Sequence, residues 1–275
     1  MTLGDAVKKH FGSDPHERPR IVLTGASRGI GAAIARKLAH HARWICLVGR
    51  DATALQRVQA SLGSVQSVLV VGDIAQSSVQ AQVVAAVGDH DLDILINNAG
   101  VSEFGNAEGM ERASLERLME INLITPIALT QQLLPALRRS GASQIVNVGS
   151  TFAYIGYPGF AAYCASKFGL RGFTEALDRE LADSSVRVRL FSPRATATDI
   201  NSPAVRQMNQ ELGTNEDTPE QVASEFLRFL RGTQREGRVG RPEKIFTRLN
   251  QWAPAVVDRA LKGQLARIKK AFTQQ

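Results

Sequence analysis

A chain of 275 residues is enough for one large α/β domain with a sizeable core, and 44% hydrophobic with 21% charged residues is ordinary globular composition. No apolar run reaches transmembrane length, and the N-terminus lacks the apolar core of a secretory signal, so a cytoplasmic protein is expected. The net charge of +7 is uneven: residues 226–275 hold 12 Lys/Arg against 3 Asp/Glu, and no nucleic-acid recognition motif accompanies that charge, so no nucleic-acid partner is expected.

In chain order, residues 1–19 are polar, carry Pro15 and Pro19, and either form a short helix over Leu3 to Phe11 or stay loose. Ile21-Val22-Leu23 then reads as a buried strand. It enters Thr24-Gly25-Ala26-Ser27-Arg28-Gly29-Ile30-Gly31, and Ile30, Ile34 and Leu38 follow at helical spacing. Strands are predicted at 21–24, 45–49, 68–71, 94–97, 145–149 and 186–190, with helical stretches between them and a short extra strand at Val239. This rhythm implies a doubly wound parallel sheet covered by helices on both faces, with strand order 3-2-1-4-5-6. Residues 194–215 form a long polar stretch that suits a lid over substrate. After Pro254, Val257, Leu261, Leu265, Ile268 and Phe272 make an apolar helical stripe with basic residues largely off it.

Three features carry chemistry. Strand, glycine turn and helix in succession form the context a dinucleotide site requires: Gly25 allows a tight turn, Gly29 lets backbone approach a pyrophosphate, and Gly31 lets helix and strand pack closely. The helix N-terminus offers free N–H groups to the phosphates. Tyr163 and Lys167 are four residues apart, so on a helix they share a face with Cβ atoms about 5–6 Å apart. A cation there favours the phenolate, which lowers the tyrosine pKa and poises a general acid/base for carbonyl chemistry. Gly25, Arg50, Asp73, Asn98 and Ser150 all fall at or just after predicted strand ends, where ligands of such sheets bind. Cys46 and Cys164 read as buried thiols. Neither they nor the five histidines make a metal pattern, and no metal is expected.

Together with Asn97-Asn98-Ala99-Gly100, Asn122 in Glu120-Ile121-Asn122-Leu123, and Asp73-Ile74, these residues resemble the single-domain branch of the short-chain dehydrogenase/reductase family over residues 20–245. The resemblance implies a Rossmann domain at 20–250 with its substrate pocket, an extension at 1–19 and a basic amphipathic helix at 251–275. It implies that Tyr163 protonates a carbonyl oxygen as hydride arrives at carbon. Lys167 lowers the tyrosine pKa and bonds the nicotinamide ribose, Ser150 orients the carbonyl oxygen, and Asn122 holds a helix break and a proton-relaying water. Cofactor contacts are implied for Gly25, Ser27, Arg28, Gly29, Ile30, Gly31, Arg50, Asp73, Ile74, Asn98, Ala99, Gly100, Tyr163, Lys167, Pro193, Thr196 and Thr198. Assembly as a homodimer or homotetramer around a small-molecule carbonyl substrate is implied as well.

By family alignment Gly49 occupies the place where an acid would bond the ribose 2′-hydroxyl of NAD, and Arg50 follows it. With Arg28 in the glycine turn, that favours NADP(H) over NAD, while Asp51 reads as a helix cap. Arg194 stands where the family usually has glycine, which unsettles the local backbone and offers a substrate or phosphate contact. Tyr154 and Tyr157 are placed in the substrate pocket, with Phe104, Phe152 and Phe160 as pocket or core. For the C-terminal stripe, packing on its own domain or a partner is favoured over bounding a pocket for long acyl substrates or docking on an anionic membrane. The rival functions are a non-catalytic NADPH-binding scaffold and a sugar epimerase or dehydratase.

Overall fold

A computed structural model describes residues 17–272 of the chain, so the expected helix over Leu3 to Phe11 lies outside the described residues. The strands are β1 (Arg20–Thr24), β2 (Trp44–Gly49), β3 (Gln66–Val71), β4 (Ile94–Asn97), β5 (Ser143–Val148), β6 (Val186–Ser192) and β7 (Glu236–Arg238). They form one parallel sheet in the order β3-β2-β1-β4-β5-β6-β7, with β1 between β2 and β4 in register Val22↔Cys46 and Val22↔Leu95. The seventh strand falls just before Val239. Val239 itself lies past the ladder, its N–H donating to Ser192 O at 3.0 Å.

The helices are α1 (Gly29–Ala39), α2 (Ala52–Ala60), α3 (Ser77–Val87), α4 (Arg112–Met119), α5 (Thr125–Arg139), α6 (Ala161–Glu180), α7 (Pro203–Glu211), α8 (Pro219–Leu230), α9 (Arg241–Trp252) and α10 (Pro254–Phe272). Period-2 alternation sends β1 residues to opposite faces. Ile21 and Leu23 pack with α1, α2 and α8, whereas Val22 packs with α3, α5 and α6. Both faces are covered, which is why β2 and the Ile94-Leu95-Ile96 stretch of β4 read as continuous hydrophobic runs.

One charge sits inside this core. Arg189 of β6 is 1% exposed, and its guanidinium donates to the carbonyls of Phe229 (2.7 Å), Leu230 (3.2 Å), Gly232 (3.0 Å) and Gln234 (2.9 Å) and to Gln144 Oε1 (2.6 Å). It thus ties together the carbonyls at the C-terminal end of α8 and in the turn that follows it. Burial pulls its pKa down to about 10, still well above neutral.

The stretch 194–215 is not a bare loop, because Ser202 caps α7 inside it by accepting from Val205 N. The C-terminal stripe packs on its own chain. Val257 and Leu261 meet Tyr154, Ile155 and Leu190. Ile268, Ala271 and Phe272 meet Phe104, Phe160, Val205 and Met208, with the Phe272 and Phe104 rings 5.2 Å apart. The stripe is therefore covered and is not a free membrane-facing surface.

Candidate active site

The site lies beyond the carboxyl ends of β1, β2, β4, β5 and β6, where the sheet order reverses between β1 and β4. A cleft of about 580 Å³ runs from Arg50 and Asp73 at one end to Tyr157 and Met208 at the other.

At one end the glycine turn is shaped by its neighbours. Gly25 has φ +67°, a left-handed conformation glycine adopts without cost. A Cβ on Gly31 would stand 2.0 Å from Gly25 O, so only glycine lets α1 start this close to the turn. Thr24 Oγ1 accepts from the N–H groups of Asn98 and Ala99 at 3.0 Å each. Asn98 Nδ2 donates to Thr24 O (2.9 Å) and Gly25 O (3.1 Å). The Asn98 amide therefore braces the turn. Arg28 occupies the N-cap position of α1 without a side-chain cap bond, and the first turn carries no acid. Its free N–H groups open on the cleft beside Ser27, Gly29 and Ile30. Arg28 and Arg50 are exposed on the cleft rim, with no ion partner among the described residues. Asp51 is occupied as a cap, its carboxylate accepting from Ala54 N at 2.9 Å. An uncapped helix start between two unpaired guanidiniums fits a phosphorylated dinucleotide.

Asp73 and Ile74 line the same end, and Asp73 forms an ion pair with Arg117 of α4. Sequence reasoning missed Arg117 because nothing in the spacing of α4 distinguishes it from a solvent-facing arginine. Thr198 touches the turn from above, its Cγ2 only 3.2 Å from where a Cβ on Gly29 would lie. Pro193 and Thr196 complete that wall, with Thr196 Oγ1 donating to Arg194 O at 2.8 Å.

At the other end, Ser150 follows β5 by two residues and caps a short turn, and Tyr163 and Lys167 rise from the first turns of α6. The Ser150 hydroxyl neighbours the Tyr163 phenol and favours its phenolate. Lys167 Nζ lies 5.8 Å from the tyrosine ring centroid and donates to Val148 O at 3.1 Å. The Phe152 and Phe160 rings meet Tyr163 edge-on at 6.2 Å. Burial among them pushes the phenol up to about 12, and the neighbouring Ser150 hydroxyl only partly offsets this. The expected lowering of the tyrosine pKa is thus reversed, because desolvation of the phenolate is the largest effect and outweighs the Ser150 hydroxyl. Burial also lowers Lys167, to about 8.

Asn122 is fully buried in a π-helical turn, Glu120–Ile124, between α4 and α5. Its Oδ1 accepts from Val101 N at 2.9 Å, and its Nδ2 donates to Val101 O (2.9 Å) and Ser166 Oγ (3.1 Å). The widened turn frees backbone groups, and the amide ties the break to the loop carrying Gly100. A Cβ on Gly100 would lie 3.3 Å from Asn122 Oδ1 and 3.7 Å from Lys167 Nζ, so glycine keeps that passage open.

Two expectations change, for Tyr154 and Arg194, and Phe104 takes the core role of the two readings open to it. Tyr154 is not in the cleft: it is 2% exposed, donates to Glu236 Oε2 at 3.1 Å, and has Arg171 and Arg238 guanidiniums 4.3 Å from its ring. Phe104 stands behind Phe160 at 4.9 Å and belongs to the wall packed on α10. Arg194 is no free anion contact, since it makes two bonds to Asp217 (2.8 and 2.5 Å) and lies 3.6 Å from Glu243. Its backbone needs no glycine, as only glycines have positive φ among the described residues. The substrate end is lined by Phe152, Tyr157, Phe160, Ile200, Val205 and Met208. Sequence reasoning had no period from which to place the last three.

A parallel doubly wound sheet with a glycine-turn anion cradle and a Ser–Tyr–Lys cluster at one cleft defines a dinucleotide-dependent oxidoreductase fold. The sequence model described as short chain dehydrogenase matches residues 19–209, and the chain belongs to this short-chain dehydrogenase/reductase family. It is similar to L-xylo-3-hexulose reductase of Hypocrea jecorina, at 34% identity over 72% of this chain and 71% of that one. It is also similar to a metagenomic short-chain oxidoreductase solved with NADP, at 29% identity and TM-score 0.68, covering 80% of this chain and 96% of that one. A third likeness is to 3-ketoacyl-(acyl-carrier-protein) reductase from Brucella melitensis solved with NADH, at 28% identity and TM-score 0.71, with the same coverage. The protein is an NAD(P)-dependent oxidoreductase of CH–OH and C=O groups.

Proposed function

We propose that the protein reduces an apolar carbonyl substrate, a ketone or 3-oxoacyl compound, with NADPH. The observation that carries this reading is that Ser150, Tyr163 and Lys167 line one cleft, with Lys167 Nζ 5.8 Å from the tyrosine ring centroid and aromatic and aliphatic side chains walling the site. NADPH, when bound, supplies the hydride. The phenol of Tyr163 gives its proton to the carbonyl oxygen. The Ser150 hydroxyl holds that oxygen and stabilises the charge developing on it. The Lys167 ammonium favours the phenolate left behind, and Asn122 fixes the passage by which a proton returns. Phe152, Tyr157 and Phe160 exclude water from the reacting face. The reductases of 3-hexulose and of 3-ketoacyl groups among the relatives support a carbonyl substrate. Following NADPH oxidation with aliphatic ketones, 3-oxoacyl thioesters and sugars tests the reading: turnover of the first two classes is expected, and turnover confined to sugars contradicts it.

The preference for NADPH rests on Arg28 and Arg50 at the cleft rim with no acid at the end of β2. A charge-assisted bond to phosphate contributes about 1.5–3 kcal/mol. Arg50→Ala is therefore expected to weaken NADPH binding about tenfold or more while leaving NADH binding nearly unchanged. Fluorescence titration of both cofactors measures this, and equal losses for the two contradict the assignment.

A pH dependence follows from Lys167. Its lowered pKa, about 8, means the ammonium is present below that pH and lost above it, while Tyr163, raised to about 12, keeps its proton across the same range. The reductive kcat/KM is expected to hold level at neutral pH and fall as pH rises through about 8. A rate that climbs through that window contradicts the role given to the ammonium.

A further inference from the structure

Helices α9 and α10 meet at a bend at Ala253, whose N–H still donates to Leu249 O at 2.7 Å. The inner face of this elbow is occupied. Thr247 is buried, Phe246 and Leu249 pack against the cluster around Tyr154, and Asn250 donates to Tyr154 O at 2.9 Å. The outer face is bare: Trp252 is 89% exposed, Ile245 68% and Val256 54%. Ile245, Arg248 and Trp252 stand at i, i+3 and i+7, one side of a helix, and Val256 opens α10 four residues later.

The charge around this patch has one sign. Residues 244–272 contain seven Lys/Arg and a single acid, Asp258. Lys244, Arg248, Arg259 and Lys262 form no ion pair among the described residues. A second copy in two-fold contact would set this basic surface on itself. A nucleic acid would meet the cations but leave the aliphatic groups without a counterpart. An anionic bilayer supplies both halves, phosphate charge for the basic side chains and the headgroup–acyl boundary for an indole and its aliphatic neighbours. We propose that the α9–α10 elbow docks the protein peripherally on anionic lipid surfaces, with Trp252, Ile245 and Val256 at the boundary and Arg248 with its basic neighbours on the phosphates. No helix among the described residues is long and apolar enough to cross a membrane, so the contact is one of surface docking. This docking face is the reverse of the apolar stripe of α10, and it does not depend on the substrate assignment.

The chain has two tryptophans, and Trp44 is 6% exposed in the sheet, so a change in indole emission reports on Trp252. The full chain is sedimented with vesicles of phosphatidylglycerol and phosphatidylcholine, and with pure phosphatidylcholine, while emission is recorded. Binding to the anionic vesicles with a blue shift is expected. Trp252→Ser is expected to lower the partition coefficient about tenfold and Arg248→Gln about fivefold, with NADPH affinity unchanged in both. The proposal is overturned by absence of binding to anionic vesicles, by binding with unshifted emission, or by equal partition of wild type and Trp252→Ser. An emission shift that follows protein concentration without vesicles assigns the face to a second copy and overturns it too.

Discussion

Tyr163→Phe is expected to lower the reductive kcat by about 10²–10⁴, the range that removal of a general acid typically costs, while NADPH binds as before. The substitution deletes one oxygen and keeps the ring, so the edge contacts with Phe152 and Phe160 survive and the floor of the cleft keeps its shape. The lost group is the hydroxyl of the phenol that Lys167 flanks, its Nζ 5.8 Å from the ring centroid, in the cleft that Ser150 also lines. Tyr157 does not replace it, because its hydroxyl is directed to Gln264 Oε1 at 3.4 Å. Steady-state rates together with a fluorescence titration of NADPH separate lost chemistry from lost binding. Near-wild-type kcat in the variant contradicts the role given to Tyr163.

Arg189→Leu is expected to cost about 3–5 kcal/mol of stability, comparable to breaking a buried charged pair by removing one partner. Leucine fills part of the space but leaves the carbonyls of Leu230, Gly232 and Gln234 and the Gln144 side chain without the guanidinium donor, while Phe229 O keeps the Gly232 N–H. Each unsatisfied buried acceptor carries a desolvation penalty of about 1–3 kcal/mol, moderated by relaxation of the α8 end. For a chain of this size the thermal midpoint is expected to drop by roughly 10 °C. Circular dichroism on heating measures it, and an unchanged midpoint would mean that those carbonyls find water or other donors.

The parts of this molecule that were legible in the sequence are those where one residue type answers to one local need. Gly25 and Gly31 mark a left-handed turn and a contact no Cβ fits, so the glycine spacing located this tight turn directly. The unbroken apolar runs at β2 and in Ile94-Leu95-Ile96 of β4 announced strands covered on both faces, and the parallel order followed from the alternation with helices. The Tyr163–Lys167 spacing gave the shared helix face, but not the sign of the pKa shift. That sign depends on Phe152 and Phe160 arriving from a different segment to desolvate the phenol.

Contacts between distant segments were the illegible part. Arg194 meets Asp217 and Glu243 across 23 and 49 residues, and no periodicity records such a pairing. Tyr154 looked like a pocket tyrosine from its neighbours in sequence, yet β7 and α9 cover it. The seventh strand is only three residues long and has no hydrophobic alternation, so Val239, the apolar residue beside it, drew the prediction one place too far. The stripe on α10 was readable as apolar, but its partners on α7 and around Phe104 are set by the fold.

The most direct test of the central claim, that Ser150, Tyr163 and Lys167 deliver a proton where a nicotinamide delivers hydride, is isotopic transfer. The enzyme is incubated with NADPH deuterated at the transferable position of the nicotinamide and with a 3-oxoacyl thioester, and the alcohol is analysed by mass spectrometry. Deuterium on the carbinol carbon with wild type, and its near-absence with Tyr163→Phe at equal NADPH occupancy, is the expected result. Equal incorporation by the two proteins would contradict the account.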